Sequence, residues 1–289
     1  MGANFIMPIQ YPLVDVRNLL GKDLNKSNFI TPITKIQGSL TTAFYAIFEP
    51  RKISNIYHHN NCDVLSILLN GNGVYGIADQ RYSIQQGDCC LVPRGVDHFF
   101  TNRSDDTAIM VGFFIGRKDI DATRIEVIGP INENQLAIRN ERNRIKQEGA
   151  IILNINDIEP ENMNESDGWK ITDFRLPISK KNGCSSTLFR ARFMPGAVHK
   201  KHCHTNSDEI YYIISGHGLA GAGSDRVEVH EGHFHFIPKG VEHWLYNLSD
   251  TVPIEVVGVY CDAGSVEGTG YVYMGDVTTK DLNERTILG

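Results

Sequence analysis

Short apolar runs alternate with short polar ones along this chain, at a spacing that strands keep and helices do not. SILL, EIYYII, FHFIP and IEVVGVY are rich in β-branched and aromatic residues. Turns bearing Gly, Asn and Asp separate such runs at roughly 8 to 12-residue intervals, the rhythm of sandwiches and barrels. The pattern predicts an all-β protein. One stretch breaks it: residues 132–150, NENQLAIRNERNRIKQEGA, are polar, charged and free of proline. They predict a single exposed helix, capped by Asn132 or Asn134 and stopped near Gly149.

The β pattern is written twice. Shifting the second half back by 145 positions places Phe189, Ala191, Phe193 and Pro195 on Phe44, Ala46, Phe48 and Pro50. Gly216, Gly218, Gly221 and Arg226 fall on Gly71, Gly73, Gly76 and Arg81, and GHFHFIPKGVEHWLYN (232–247) falls on GDCCLVPRGVDHFFTN (87–102). The chain therefore holds two copies of one fold. The expected domains are an N-terminal arm over 1–30, a first barrel over 31–118, a linker with one helix over 119–168, and a second barrel with its tail over 169–289.

Composition narrows the function. The 289 residues carry a net charge of -6 and are 41% hydrophobic and 21% charged. This is a globular balance, with nothing to track a phosphate backbone and no basic run for a membrane surface, so neither nucleic acid nor membrane is an expected partner. No apolar run approaches a membrane span, and the start lacks the charged and apolar regions of a signal peptide. The six cysteines show no C-x-x-C pair and no disulfide-framework spacing. They read as reduced thiols of a cytoplasmic protein.

The chemistry gathers in HKKHCHTNSDEIYYIISGHG, residues 199–218. In a strand, side chains alternate faces, so His202 and His204 point together while Cys203 points away. Glu209 opens the next strand, and His243, just past a Pro-Gly turn in PKGVEHW, is the candidate fourth ligand. Three neutral imidazoles and a carboxylate suit Fe, Mn, Ni, Co or Zn and leave one or two coordination positions open.

Gly196 to Gly216 reads G-x5-H-x-H-x4-E-x6-G, and Gly232 to Asn247 reads G-x5-P-x-G-x2-H-x3-N. These resemble the two motifs of the cupin superfamily, and across both repeats the chain is similar to a bicupin. The resemblance implies two double-stranded β-helix (jelly-roll) barrels and one divalent transition metal per chain, Fe or Mn first, held by His202, His204, Glu209 and His243. It further implies an enzyme acting on a small oxygenated metabolite. A dioxygenase-type oxidoreductase comes first, because three histidines and a glutamate with open positions suit iron and dioxygen. The alternatives are an isomerase, decarboxylase or lyase using the metal as a Lewis acid, and a non-catalytic metal- or small-molecule-binding bicupin. A homodimer is compatible with the resemblance, though no interface is legible.

The first copy departs from the motif. His204 and His243 correspond to His59 and His98, but His202 corresponds to Tyr57 and Glu209 to Val64. A distorted second site from His58, His59, Asp63 and His98 is the alternative to a barrel kept for stability, pairing or substrate access. On strand parity His58 faces away from His59, and Asp63 stands one place off the Glu position. Arg190 and Arg192 share one face of the strand LFRARF. They clamp a substrate carboxylate if that face looks inward and are surface charges if it looks outward. Tyr211 shares a face with Glu209, as pocket lining or as core. His233 and His235 read as surface histidines or a proton relay, His199 and His217 as loop residues, and Trp244 as a packing residue turned away from the metal.

Overall fold

A computed structural model describes residues 10–20, 28–138, 140, 148–163, 171 and 173–286. The described residues are nearly all β, in two six-stranded and two five-stranded sheets, with two short α-helices at Val16–Leu20 and Thr279–Asn283. They form two compact units. Each contributes one six-stranded and one five-stranded sheet, with antiparallel pairing throughout the registers.

The two units repeat the same strand order. In the second barrel the larger sheet runs Leu13–Asp15, His233–Ile237, Glu209–Ser215, Ile254–Tyr260, Thr187–Phe193, Asp173–Ile178. In the first it runs Ile151–Asn154, Asp88–Val92, Val64–Asn70, Ala108–Phe114, Thr42–Phe48, Phe29–Ile33. One edge differs in origin. The first barrel closes its edge with a strand that follows it in sequence, pairing Ile152 with Cys90. The second closes the same edge with the N-terminal Leu13–Asp15, pairing Val14 with Phe234. Leu13–Asp15, within the expected N-terminal arm, thus supplies a strand, and an edge that would otherwise expose unpaired N–H and C=O groups is covered.

The segment expected as linker is also more structured than predicted. Ile125–Pro130 pairs with Asn55–His59, and Ile151–Asn154 completes the larger sheet. The helix over 132–150 is corrected in its described part. Asn132 does cap a turn, accepting from the N–H of Gln135 while the Gln135 side chain accepts from its own N–H, but the turn is a single 3-10 one, Glu133–Leu136, and Ala137 is already extended. Residues 139 and 141–147 lie outside the described residues.

The repeated glycines have a packing reason. A Cβ on Gly221 would stand 2.1 Å from the Trp244 ring, and one on Gly76 would stand 2.1 Å from the Phe99 ring. The aromatic of one strand lies flat on the bare backbone of its neighbour, so Trp244 does pack as its parity predicts. Inside each barrel the inward alternate residues form the core: Phe189, Ala191 and Phe193 with Tyr260 in one, Phe44 and Ala46 with Phe114 in the other. Burial of such side chains stabilises by about 1.5–3 kcal/mol each. All six cysteines are buried, free thiols. No helix among the described residues is long and apolar enough to cross a membrane.

Candidate metal centre

The strand Val198–His204 carries the first two candidate ligands, Glu209 opens Glu209–Ser215, and His243 opens His243–Asn247. Their registers bring the four together: His202 pairs with His243, and Glu209 lies across from Ile237 and Tyr260. One ligand atom from each of His202, His204, Glu209 and His243 lies within 4.8 Å of the others, and all four residues are buried.

The orientation of the rings is set from behind. Nδ1 of His202 lies 2.7 Å from the Lys200 carbonyl and Nδ1 of His243 lies 2.9 Å from the Val241 carbonyl. Carbonyls only accept, so both Nδ1 atoms carry the proton. Nδ1 of His204 lies 2.9 Å from Thr269 Oγ1, whose own proton goes to the Val266 carbonyl at 2.6 Å, so this Nδ1 donates as well. Three Nε2 lone pairs therefore face inward, the tautomer a metal ligand needs.

Glu209 tests whether a cation fits. Its Oε2 lies 3.1 Å from His204 Nε2 and 3.2 Å from His243 Nε2. With the Nδ1 protons committed, these contacts set lone pair against lone pair unless a cation lies between. Between Glu209 and His204 a proton is a poor candidate, because burial holds His204 below the ordinary imidazole range. Burial acts to raise the Glu209 carboxyl, and only positive charge at its His204 and His243 contacts outweighs burial and lowers it; with those rings neutral, a bound cation would have to supply that charge. A buried carboxylate among neutral imidazoles needs a positive charge. The donor set fits a divalent metal.

The cavity beside these residues is narrow, ≈ 30 Å³, and lined by Phe189, Ala191, Phe193, Tyr211, Val256 and Tyr260 among others. Arg190 and Arg192 take no part in it. They lie on the opposite face of the strand, Arg190 paired with Asp173 and Glu255 at 2.8 Å each, and Arg192 with Glu255 at 3.0 Å. The substrate-clamp alternative is thereby corrected: on a seven-residue strand whose aromatic positions face inward, the arginines must face out. Tyr211 does line the cavity, its hydroxyl 2.7 Å from His235 Nδ1. Burial pushes Tyr211 well above the ordinary phenol range and His235 down to about 3.

Three residues escaped the strand-parity argument. His199 is a buried strand residue lining the cavity, its ring 3.8 Å from that of His202. Parity puts positions 199 and 202 on opposite faces, but a register shift between them brings both to one face. His235 and His233 are buried, not surface residues. His233 lies 3.7 Å from Asp15 on the N-terminal strand, which alternation along the second barrel could not foresee. Thr269 has a counterpart, Thr123, visible only if the repeat is carried past a one-residue insertion. His217 begins a strand and is exposed.

In the first barrel the four alternative ligands do not converge. His58 turns outward to Asp97 and Asn60 at 2.8 Å each, and Asp63 accepts from the backbone and side chain of Arg94. Only His59 and His98 face the interior, with ring centroids 5.3 Å apart.

The cupin domain profile matches residues 44–114 and again 189–260. An uncharacterised protein of Methanocaldococcus jannaschii, MJ1618, is 32% identical over 91 residues, which is 32% of this chain and 71% of that protein. The chain belongs to the cupin family, with two cupin domains in tandem. Its fold is similar to solved oxalate decarboxylases. A point mutant of the Bacillus subtilis enzyme aligns over 84% of this chain and 74% of that one, with a TM-score of 0.65 at 13% identity. The Lactobacillus farciminis enzyme in complex with formate aligns over 84% and 82%, at 0.63 and 15%. A further structure of the Bacillus subtilis enzyme, described for its Mn(II) centres, aligns over 84% and 74%, at 0.63 and 14%.

Proposed function

We propose that this protein is a metal-dependent bicupin enzyme whose chemistry resides in the second barrel, with His202, His204, Glu209 and His243 holding one divalent transition metal. The observation that carries this reading is the meeting of inward Nε2 lone pairs with an ionised Glu209 carboxylate at 3.1–3.2 Å. When bound, such a metal supplies Lewis-acid polarisation of a carbonyl or carboxyl oxygen, or a one-electron couple. The chain supplies the rest. The Nδ1 anchors hold the rings in place, the apolar walls exclude water, and the Tyr211 hydroxyl with His235 holds a proton beside the cavity.

The cavity bears on the choice of chemistry. A volume of ≈ 30 Å³ suits a substrate of a few heavy atoms. With no arginine among the described residues that line the cavity, an anionic substrate would bind through its oxygens at the metal. These features, with the decarboxylases among proteins of similar fold, favour a decarboxylase or lyase on a small carboxylic or hydroxy acid over a dioxygenase. Manganese or iron is the metal this reading prefers. The test is to load the purified chain with Mn(II) or Fe(II) and offer small carboxylic acids while recording carbon dioxide release and dioxygen uptake together. Carbon dioxide without stoichiometric dioxygen uptake supports the lyase. Coupled uptake supports the oxidoreductase, and no turnover with metal bound supports a binding protein.

A further inference from the structure

The first barrel, stripped of two ligands, is not filled in. It contains a cavity of ≈ 510 Å³, within the range of small-molecule sites. One substitution accounts for much of this room. The position of Tyr211 in the second barrel is Ser66 in the first, and that of its partner His235 is Cys90, the two strands pairing in the same register. The walls are apolar and aromatic, with Phe44, Tyr75, Phe100, Met110 and Phe114 deep inside and Phe29 partly exposed at the mouth.

Two imidazoles face this space, beside the hydroxyls of Ser66, Tyr57 and Tyr75, and the hydrogen-bonding sense of both rings is set. Thr123 Oγ1 donates to the Ile120 carbonyl at 2.6 Å and so accepts from His59 Nδ1 at 3.0 Å. His98 Nδ1 donates to the Val96 carbonyl at 3.0 Å. Each imidazole therefore presents Nε2 as an acceptor, and no protein group bonds either Nε2 among the described residues. Burial holds both rings neutral, His59 down to about 3. Among the described residues no arginine lines the cavity, and the one lysine that does, Lys52, stands exposed and paired with Glu49 at 2.8 Å. Two imidazole acceptors welcome a hydroxyl proton, and no cationic side chain among the described lining residues is placed in the interior to answer a carboxylate.

We propose that the first barrel is a binding site for an uncharged, hydroxyl-bearing aromatic small molecule, whose hydroxyl donates to Nε2 of His59 or His98 while its ring packs against Phe44, Phe100 and Phe114. The site is independent of the chemistry assigned to the second barrel. Calorimetric titration of the full chain at neutral pH tests it with three probes: 2-naphthol, its methyl ether, and naphthalene-2-carboxylate. We expect one 2-naphthol per chain, bound about tenfold more tightly than the ether, the size of one good hydrogen bond, and tighter still than the carboxylate. Ser66→Tyr should abolish binding by filling the chamber. The double variant His59→Phe with His98→Phe should still bind the ether but lose the preference for naphthol. In the unmutated chain, isotope-labelled histidine spectra should show Nε2 signals moving with naphthol. An equal affinity for the ether, tighter binding of the carboxylate, binding that survives Ser66→Tyr, binding lost in His202→Ala, or unmoved Nε2 signals would each overturn the proposal.

Discussion

Where the second barrel carries His202, Glu209, Tyr211 and His199, the first carries Tyr57, Val64, Ser66 and Ser54. Behind these positions the two barrels are alike. His204 leans on Thr269 and His243 on the Val241 carbonyl; His59 leans on Thr123 and His98 on the Val96 carbonyl, in the same sense and at 2.9–3.0 Å throughout. The supports that orient two of the candidate ligands are present in the first barrel, where the other two candidate ligands are not. Scaffold and orienting hydrogen bonds are common to both barrels, whereas the carboxylate and the third imidazole that suit a divalent cation meet them in the second.

The sharpest way to break the comparison is to remove a ligand from each side. His202→Ala or Glu209→Gln should cut bound metal from about one per chain to below about a tenth, since either change leaves an incomplete ligand set. His59→Ala should leave metal content as it is. Elemental analysis of protein purified without added metal or chelator decides this, and a halved content in the His59 variant would show that the first barrel also binds.

The converse experiment builds a site. Tyr57 pairs with His98 as His202 pairs with His243, and Val64 faces Val92 as Glu209 faces Ile237. Tyr57→His combined with Val64→Glu should therefore add a second metal per chain, using the support from Thr123 and Val96 already in place. If the double variant folds and still holds a single metal, the equivalence of the two interiors is less complete than their hydrogen bonds indicate.

A smaller effect probes the supports alone. Thr269→Val removes the acceptor of the His204 Nδ1 proton without touching a ligand, and should weaken metal affinity about 10–100-fold. Thr123→Val should leave the metal content of the second barrel unchanged. Competition with a chromogenic chelator measures both. An unchanged affinity in Thr269→Val would mean that packing against Tyr260, 5.0 Å away centroid to centroid, holds the His204 ring without help.

The repeat and the two motifs made the fold legible because strand alternation is local and the spacing of the motif residues is fixed in both copies. The four candidate ligands were legible for the same reason. What sequence could not show was long-range or irregular. The bulge that carries His199 to the face of His202 leaves no mark in an alternation count. Thr269 lies 65 positions from the ring it supports. The direction of the Arg190 face depends on which side of the sheet is covered, and the cavity of the first barrel is a difference in volume, invisible in a pattern of polar and apolar letters.

The smallest predicted effect uses a histidine that no candidate metal needs. Burial moves His59 down to about 3 in the folded chain, whereas in the unfolded chain it titrates near the ordinary imidazole value of about 6.5. Between these values the unfolded chain holds a proton that the folded chain does not, so stability falls as pH drops from about 6.5 toward 3. The slope is at most about 1.4 kcal/mol per pH unit for one such group. His59→Phe keeps a ring beside Phe114 and removes the proton. Its stability should therefore decline less steeply over that window, by up to the same slope, as read from urea midpoints at a series of pH values. An unchanged acid limb would mean that the folded first barrel takes up the proton after all, with water in the large cavity reaching Nε2. Nε2 of His59 would then donate to solvent and could not accept a hydroxyl proton in that pH range.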